Sequence, residues 1–177
     1  MSGDTVPQLN VEIPEISQIA FVVEDLDDGM DRFGGLLGIG PWEVYRFEPP
    51  RLTDRTYRGE DHDYSMALGL ADLAGTMIEL IEPLEGESIY TEHLESHGEG
   101  LHHVACFAFD DVDAVIEEFE AAGMCVLQSG KFGPADTDEG VEYFYFDTTA
   151  ELNGVIFETA RYLDELPEPD RTYPEPD

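Results

Sequence analysis

Gly75-Thr76-Met77-Ile78-Glu79-Leu80, in the middle of the chain, returns near its end as Gly154-Val155-Ile156-Phe157-Glu158-Thr159. Each copy follows a glycine with a short apolar run, as a buried strand does, and sets one carboxylate at its centre. An ionised carboxylate in low dielectric loses its hydration and is costly unless paired. Two such residues at matching positions point to a shared partner that both face, such as a metal ion.

The same order of elements surrounds each copy. In the first half, residues 16–24 read as a strand, and Asp25 or Asp27 suits the N-cap of a helix. Met30, Phe33, Leu36 and Leu37 fit one face of that helix, and Gly38 and Gly40-Pro41 end it. Strands are predicted at about 42–48, 63–70 and 75–82, with a loop after the first. In the second half, residues 103–109 form the strand and Asp110-Asp111-Val112-Asp113 the cap. Val112, Val115, Ile116 and Phe119 make the helix face, Gly123 the stop, and strands follow at about 124–131, 141–147 and 154–160.

The predicted fold is therefore α+β, with two tandem βαβββ modules forming a curved, barrel-like mixed sheet with a metal cleft. Its divisions are a loose lead-in (1–15), a first module (16–86), a linking helix (87–100), a second module (101–161) and an acidic, Pro-rich tail (162–177). Composition predicts disorder for the tail from Leu163 onward. Either module alone would leave an incomplete sheet edge, so each needs the other.

Gln18 opens the first strand of one half and His103 the corresponding strand of the other. Two halves meeting face to face would gather Gln18, Glu79, His103 and Glu158. One imidazole nitrogen, two carboxylates and an amide oxygen suit a divalent cation such as Zn, Co, Ni or Mn, with coordination positions left for water or substrate. Each residue also has a plain structural role open to it: a strand-end hydrogen bond for Gln18, a satisfied core position for His103, an arginine partner for either Glu. His102 is the competing imidazole. Aligning Asp111-Val112-Asp113 with Asp25-Leu26-Asp27 leaves the second strand one residue too long, which implies a bulge or a longer turn and favours His103.

The chain carries 41 acidic and 8 basic residues, a net charge of −33, with Lys131 the single lysine. Acidic residues occur throughout, which reads as a halophilic surface that self-repulsion would destabilise in dilute buffer. No basic stripe exists to neutralise phosphates, so nucleic acid is not an expected partner. No apolar run reaches membrane-spanning length, and Met1 to Asn10 lacks a signal-peptide pattern, so a cytoplasmic protein is expected. Cys106 and Cys125 lie in apolar surroundings and read as reduced core residues.

The chain resembles the vicinal oxygen chelate superfamily, which includes glyoxalase I, methylmalonyl-CoA epimerase, extradiol dioxygenases and bleomycin-resistance proteins. The likeness covers about residues 16–161. It rests on Gln18-Ile19-Ala20-Phe21-Val22-Val23-Glu24-Asp25-Leu26-Asp27, on Gly98-Glu99-Gly100-Leu101-His102-His103-Val104-Ala105, and on the strands bearing Glu79 and Glu158. The second of these most resembles methylmalonyl-CoA epimerases and lactoylglutathione lyase-related proteins. The resemblance implies that Gln18, Glu79, His103 and Glu158 are metal ligands. It further implies a metal-dependent isomerase or lyase acting through an enolate, with Glu158 as the proton-moving carboxylate and Gln18 or Glu79 facing the other side of the substrate. It implies a homodimer as well.

Two departures qualify the likeness. Epimerases usually carry His where this chain has Gln18, and they draw a second acid/base carboxylate from the strand before Glu79. Here that strand, Tyr64 to Leu70, has a carboxylate only at its entrance, Asp63. Gln, two Glu and one His instead resemble the ligand set of some glyoxalase I enzymes, while the two-His, one-carboxylate site of extradiol dioxygenases is disfavoured.

Arg46, Arg51, Arg55 and Arg58 hold half of all basic residues. They could clamp an anionic small-molecule substrate such as a CoA thioester, or pair with Glu48, Asp54, Glu60 and Asp61. His93 and His97 have the i, i+4 spacing of a metal pair, but a helix surface explains them better. A third reading is a non-catalytic binder of the same fold, with Trp42, Tyr45, Tyr64, Tyr143, Phe144, Tyr145 and Phe146 lining an aromatic cleft.

Overall fold

A computed structural model describes residues 7–175. The first module comprises β1 (Gln18–Val22), α1 (Leu26–Leu37), β2 (Trp42–Phe47), a hairpin of β3 (Leu52–Tyr57) and β4 (Glu60–Asp61), then β5 (Met66–Leu73) and β6 (Thr76–Pro83). Helix α2 (Ile89–His97) leads into the second: β7 (Gly100–Cys106), α3 (Val112–Ala121), β8 (Val126–Phe132), β9 (Val141–Phe146) and β10 (Ile156–Tyr162), followed by β11 (Arg171–Tyr173).

The module helices are capped within the expected aspartate runs, and the linking helix by a serine the sequence reading did not single out. Asp25 accepts from the Asp28 N–H, Asp111 from the Ala114 N–H, and Ser88 forms a reciprocal capping box with Thr91. Gly38 ends α1 in the left-handed conformation, φ 70°.

All eleven strands form one curved, unclosed mixed sheet in the order β11-β2-β5-β6-β1-β7-β10-β9-β8-β3-β4. Pairing is parallel for β1 with β6 and for β7 with β10, and antiparallel for β1 with β7, where the two modules meet. Strand alternation divides the core into two faces. On the convex side Met30 of α1 packs with Ile19, Ile78 and Leu80, and Phe119 of α3 with Cys106, Phe146 and Phe157. Gly69 lets α1 approach, because a Cβ there would lie 3.1 Å from the Met30 sulfur. Ala20, Val22, Tyr45, Phe47, Tyr143 and Tyr145 fill the concave side.

Three expectations are corrected. Residues 52–61, expected as a loop, form the hairpin, and β3 pairs with β8 of the other module. That pairing draws the ends of the sheet together, with the Phe47 and Phe132 rings stacked at 3.7 Å. The tail is ordered through Glu175: β11 pairs with β2, Arg171 bonds Asp27, and the Tyr173 hydroxyl donates to Asp31. Cys106 is buried, but Cys125 is exposed on the turn into β8, where Met124 takes the inward position. Of the lead-in, residues 1–6 lie outside the described residues, and Leu9 and Val11 pack against the α3 cluster.

Candidate metal centre

Gln18, Glu79, His103 and Glu158 are buried together at the middle of the concave face, none more than 5% exposed. Register puts them there. Glu79 pairs with Ala20, which pairs on its other side with His103. One step along the same face, Gln18 and Glu158 flank Ala105. The two rows are two residues apart, so all four side chains share a face. Ala20 and Ala105 separate them with single methyl groups, leaving the space between open to the polar ends.

The expected bulge lies here. The β1–β7 register shifts between Ala20 and Phe21, which face His103 and Leu101, leaving His102 as the extra residue. Both neighbouring histidines are thereby buried, at 1% and 0% exposure.

His103 Nε2 lies 2.9 Å from Glu158 Oε2, 3.3 Å from Glu79 Oε2 and 3.2 Å from Gln18 Oε1. The hydrogen bond runs to Gln18; both Oε2 atoms are buried without a hydrogen-bond partner. The Gln18 amide donates from Nε2 to the Met77 sulfur at 3.2 Å, which turns its oxygen toward the group. Glu79, His103 and Glu158 each offer a ligand atom, all within 4.8 Å of one another. Two orphaned carboxylate oxygens beside an imidazole nitrogen and an amide oxygen fit a divalent cation.

The back of His103 is held as firmly. Its Nδ1 lies 2.9 Å from His102 Nδ1, and His102 Nε2 lies 3.3 Å from the Ile89 carbonyl. A carbonyl only accepts, so His102 carries its proton on Nε2. Burial pushes the His102 pKa well down and keeps it neutral, so its Nδ1 is bare and must accept from His103 Nδ1–H. His103 therefore directs Nε2 at the carboxylates, as an imidazole ligand supported from behind does. Tyr90 packs on His102 and Tyr145 on His103, with ring centroids 5.3 and 5.0 Å apart, and the Tyr90 hydroxyl donates to that of Tyr145.

Charge balance gives the same picture. Burial alone would lower the His103 pKa, but Glu158 and Glu79 together outweigh it and raise the value to about 9. Burial raises the Glu79 pKa, and His103 opposes it. A proton thus fills the role a cation would take among these groups.

Beside the four lies a cavity of about 40 Å³. Its walls include Met66, Leu68 and Leu70 of β5 and Tyr143 and Tyr145 of β9, with Tyr162 and Leu166 beyond β10. Strand β5 presents no carboxylate to it. Burial raises the pKa values of Tyr143 and Tyr145 well above the ordinary value, so both remain hydroxyls.

The arginines lie elsewhere. Arg46 pairs with Glu48, Arg51 with Asp170, Arg55 with Asp63 and Arg58 with Glu92, and none lines the cavity. The stacked pair His93 and His97 has no third ligand among the described residues. Of the aromatic set, Tyr143 and Tyr145 reach the cavity, while Trp42, Phe144 and Phe146 belong to the convex clusters. Sequence reading missed the supporting roles of His102 and Met77, though the extra residue in β7 signalled the first. It also missed Leu166, which nothing in an acidic tail distinguishes.

Residues 17–145 match the Glyoxalase/Bleomycin resistance protein/Dioxygenase superfamily. No curated protein sequence matches the chain. A hypothetical protein from Bacillus halodurans superposes with a TM-score of 0.59 at 19% identity, covering 87% of this chain and 98% of that one. A Streptomyces coelicolor methylmalonyl-CoA epimerase variant in complex with 2-nitronate-propionyl-CoA gives 0.57 at 21%, covering 86% and 100%. The methylmalonyl-CoA epimerase from Mycobacterium tuberculosis gives 0.56 at 16%, covering 89% and 94%. At such identities the likeness shows the fold alone.

Proposed function

We propose, from the premise that this chain belongs to the glyoxalase/bleomycin resistance protein/dioxygenase superfamily, that it is a metal-dependent isomerase moving a proton beside a carbonyl in a small acyl substrate. The observation that carries the reading is the buried set Gln18, Glu79, His103 and Glu158 with its two orphaned carboxylate oxygens. These four would hold a divalent ion such as Zn, Co, Ni or Mn. When bound, the ion would supply Lewis-acid stabilisation of the oxyanion that forms as the proton leaves. Glu158 takes and returns the proton through its carboxylate, whose second oxygen stays free when the first faces the ion. Gln18 and Glu79 flank the substrate from the first module. The apolar wall from β5 and the Tyr143 and Tyr145 rings exclude water from the exchange.

One solved neighbour of the fold is a methylmalonyl-CoA epimerase in complex with 2-nitronate-propionyl-CoA, which supports an epimerase acting on a CoA thioester. The bare β5 wall favours a second reading, glyoxalase I-type isomerisation of a hemithioacetal, because it limits the bases to Glu79 and Glu158. An anionic handle would have to displace a carboxylate from any of Arg46, Arg51, Arg55 or Arg58, so the substrate's charge is not what these residues support best.

Metal-loaded protein incubated in D2O with methylmalonyl-CoA, and separately with a thiol hemithioacetal, tests the reading. Deuterium at C2 of the first, lost in Glu158→Gln, is the expected result. Turnover of the second alone selects the glyoxalase reading. A loaded protein inert to both would leave a binding module and contradict the proposal.

A further inference from the structure

The chain does not leave the molecule after β10. The Leu163 and Asp164 N–H groups donate to the Gly140 carbonyl at 2.8 and 3.2 Å. Residues 165–169 then make no backbone hydrogen bond to the sheet. The chain reattaches on the other module: the Asp170 N–H donates to the Val44 carbonyl at 2.8 Å, and the Asp170 carboxylate accepts from the Arg46 N–H at 2.7 Å and from the Arg51 guanidinium at 2.8 Å. Strand β11 follows directly. Residues 163–170 are thus a strap from the second module to the first. Leu166, half-buried, packs against the concave core and lines the cavity beside Glu79 and Glu158. Tyr162 leads into the strap, its ring edge-on to Phe107 at 5.8 Å.

The remaining space decides what this strap does. About 40 Å³ of space for water centres holds about three water molecules at ~10–15 Å³ each, well short of an acyl thioester. The Glu79 and Glu158 Oε2 atoms are themselves buried, so an acyl substrate meets them only when a wall moves. Apart from Phe107, just past the end of β7, the other walls are strand residues of the paired sheet. The strap alone is held by its two ends and one side chain, and Pro167 and Pro169 offer no N–H and stiffen it so that it moves as a unit.

We infer that residues 163–170 are a latched cover over the metal centre, with Leu166 as its stopper and the Arg51–Asp170 pair as its latch. The substrate enters as the strap bows outward between its anchors. Leu166 packs against the apolar concave core, and the cavity it helps to line includes Phe47, Met66, Leu68 and Phe107, so the acyl group admitted carries a small apolar substituent in the stopper's place. This inference rests on the proposed metal-dependent reading of the cavity and adds to it a gate and a substrate class.

The test uses the full chain loaded with Co(II) in concentrated KCl, and follows loss of the metal's visible absorption after excess EDTA is added. Leu166→Ala and Arg51→Gln should each release the ion roughly five-fold or more faster than the parent, starting from the same one ion per chain. Leu94→Ala, which trims a half-buried leucine packed on the same core away from the cavity, should release at the parent rate. Release within about two-fold of the parent in both strap variants would overturn the cover. If no Co(II) binds, the metal reading falls, and hydrogen exchange then decides the strap. Faster exchange at Leu163, Asp164 and Asp170 in Arg51→Gln, with β6 unchanged, supports a latch; equal exchange contradicts it.

Discussion

The two modules bring the same strand positions to the centre but support them differently. In the first, Gln18, whose oxygen meets His103 Nε2, is backed from behind by one weak contact to the Met77 sulfur. In the second, His103 is backed by His102, which is backed by the Ile89 carbonyl, while the Ile89 N–H donates to the Gln128 side chain at 3.0 Å. Helix α2 also sends Tyr90 across His102 to Tyr145. Repetition supplied the geometry of the site, and the residues behind it made the two sides unequal. The second module would offer one firmly held ligand, His103, and the first, in Gln18, a more adjustable one.

Removing ligands should expose that inequality most strongly. His103→Ala should weaken Co(II) binding by well over the ~100-fold that loss of a supporting residue can cause, whereas Gln18→Ala should cost about ten-fold. Calorimetric titration of both variants measures the gap, and equal losses would break the comparison. One layer out, His102→Phe removes the acceptor for His103 Nδ1–H and should cost about 10–100-fold in affinity, while Met77→Leu should cost only a few-fold. His102→Gln, whose amide oxygen can accept the same proton, should recover part of the loss; a simple packing role for His102 would leave Phe the better substitute. Salt should not distinguish the modules. With a net charge of −33, the whole chain should unfold at progressively lower temperature as KCl is withdrawn, and a melting temperature indifferent to salt would count against a halophilic surface.

Local signals carried the sequence reading a long way. Asp25 or Asp27 and the run Asp110 to Asp113 marked the starts of α1 and α3, and the Glu79 and Glu158 strands marked the candidate site. A one-residue excess announced the bulge that buries His102 and His103 side by side. What stayed hidden depends on long-range pairing. Leu52 to Tyr57 follows Pro49-Pro50 and carries Asp54 and Arg55, so it reads as a loop; it becomes a strand because β8, far along the sequence, offers it an edge. The tail has the composition of a disordered segment, yet its few anchoring groups, Leu166, Asp170, Arg171 and Tyr173, each find a partner on the folded sheet or on α1. The arginine cluster was visible as a concentration of charge, but the acids that neutralise Arg51 and Arg58 lie at distant positions, Asp170 and Glu92.

The central claim is that one divalent ion is held where the modules meet. X-ray absorption at the cobalt edge of the Co(II)-loaded chain, combined with metal counting, tests it most directly. One ion per chain is expected, with a single imidazole among oxygen ligands, and that imidazole signature should vanish in His103→Ala while persisting in His93→Ala. An ion with two imidazoles that is lost with His93, or no bound ion in the intact chain, would contradict the account.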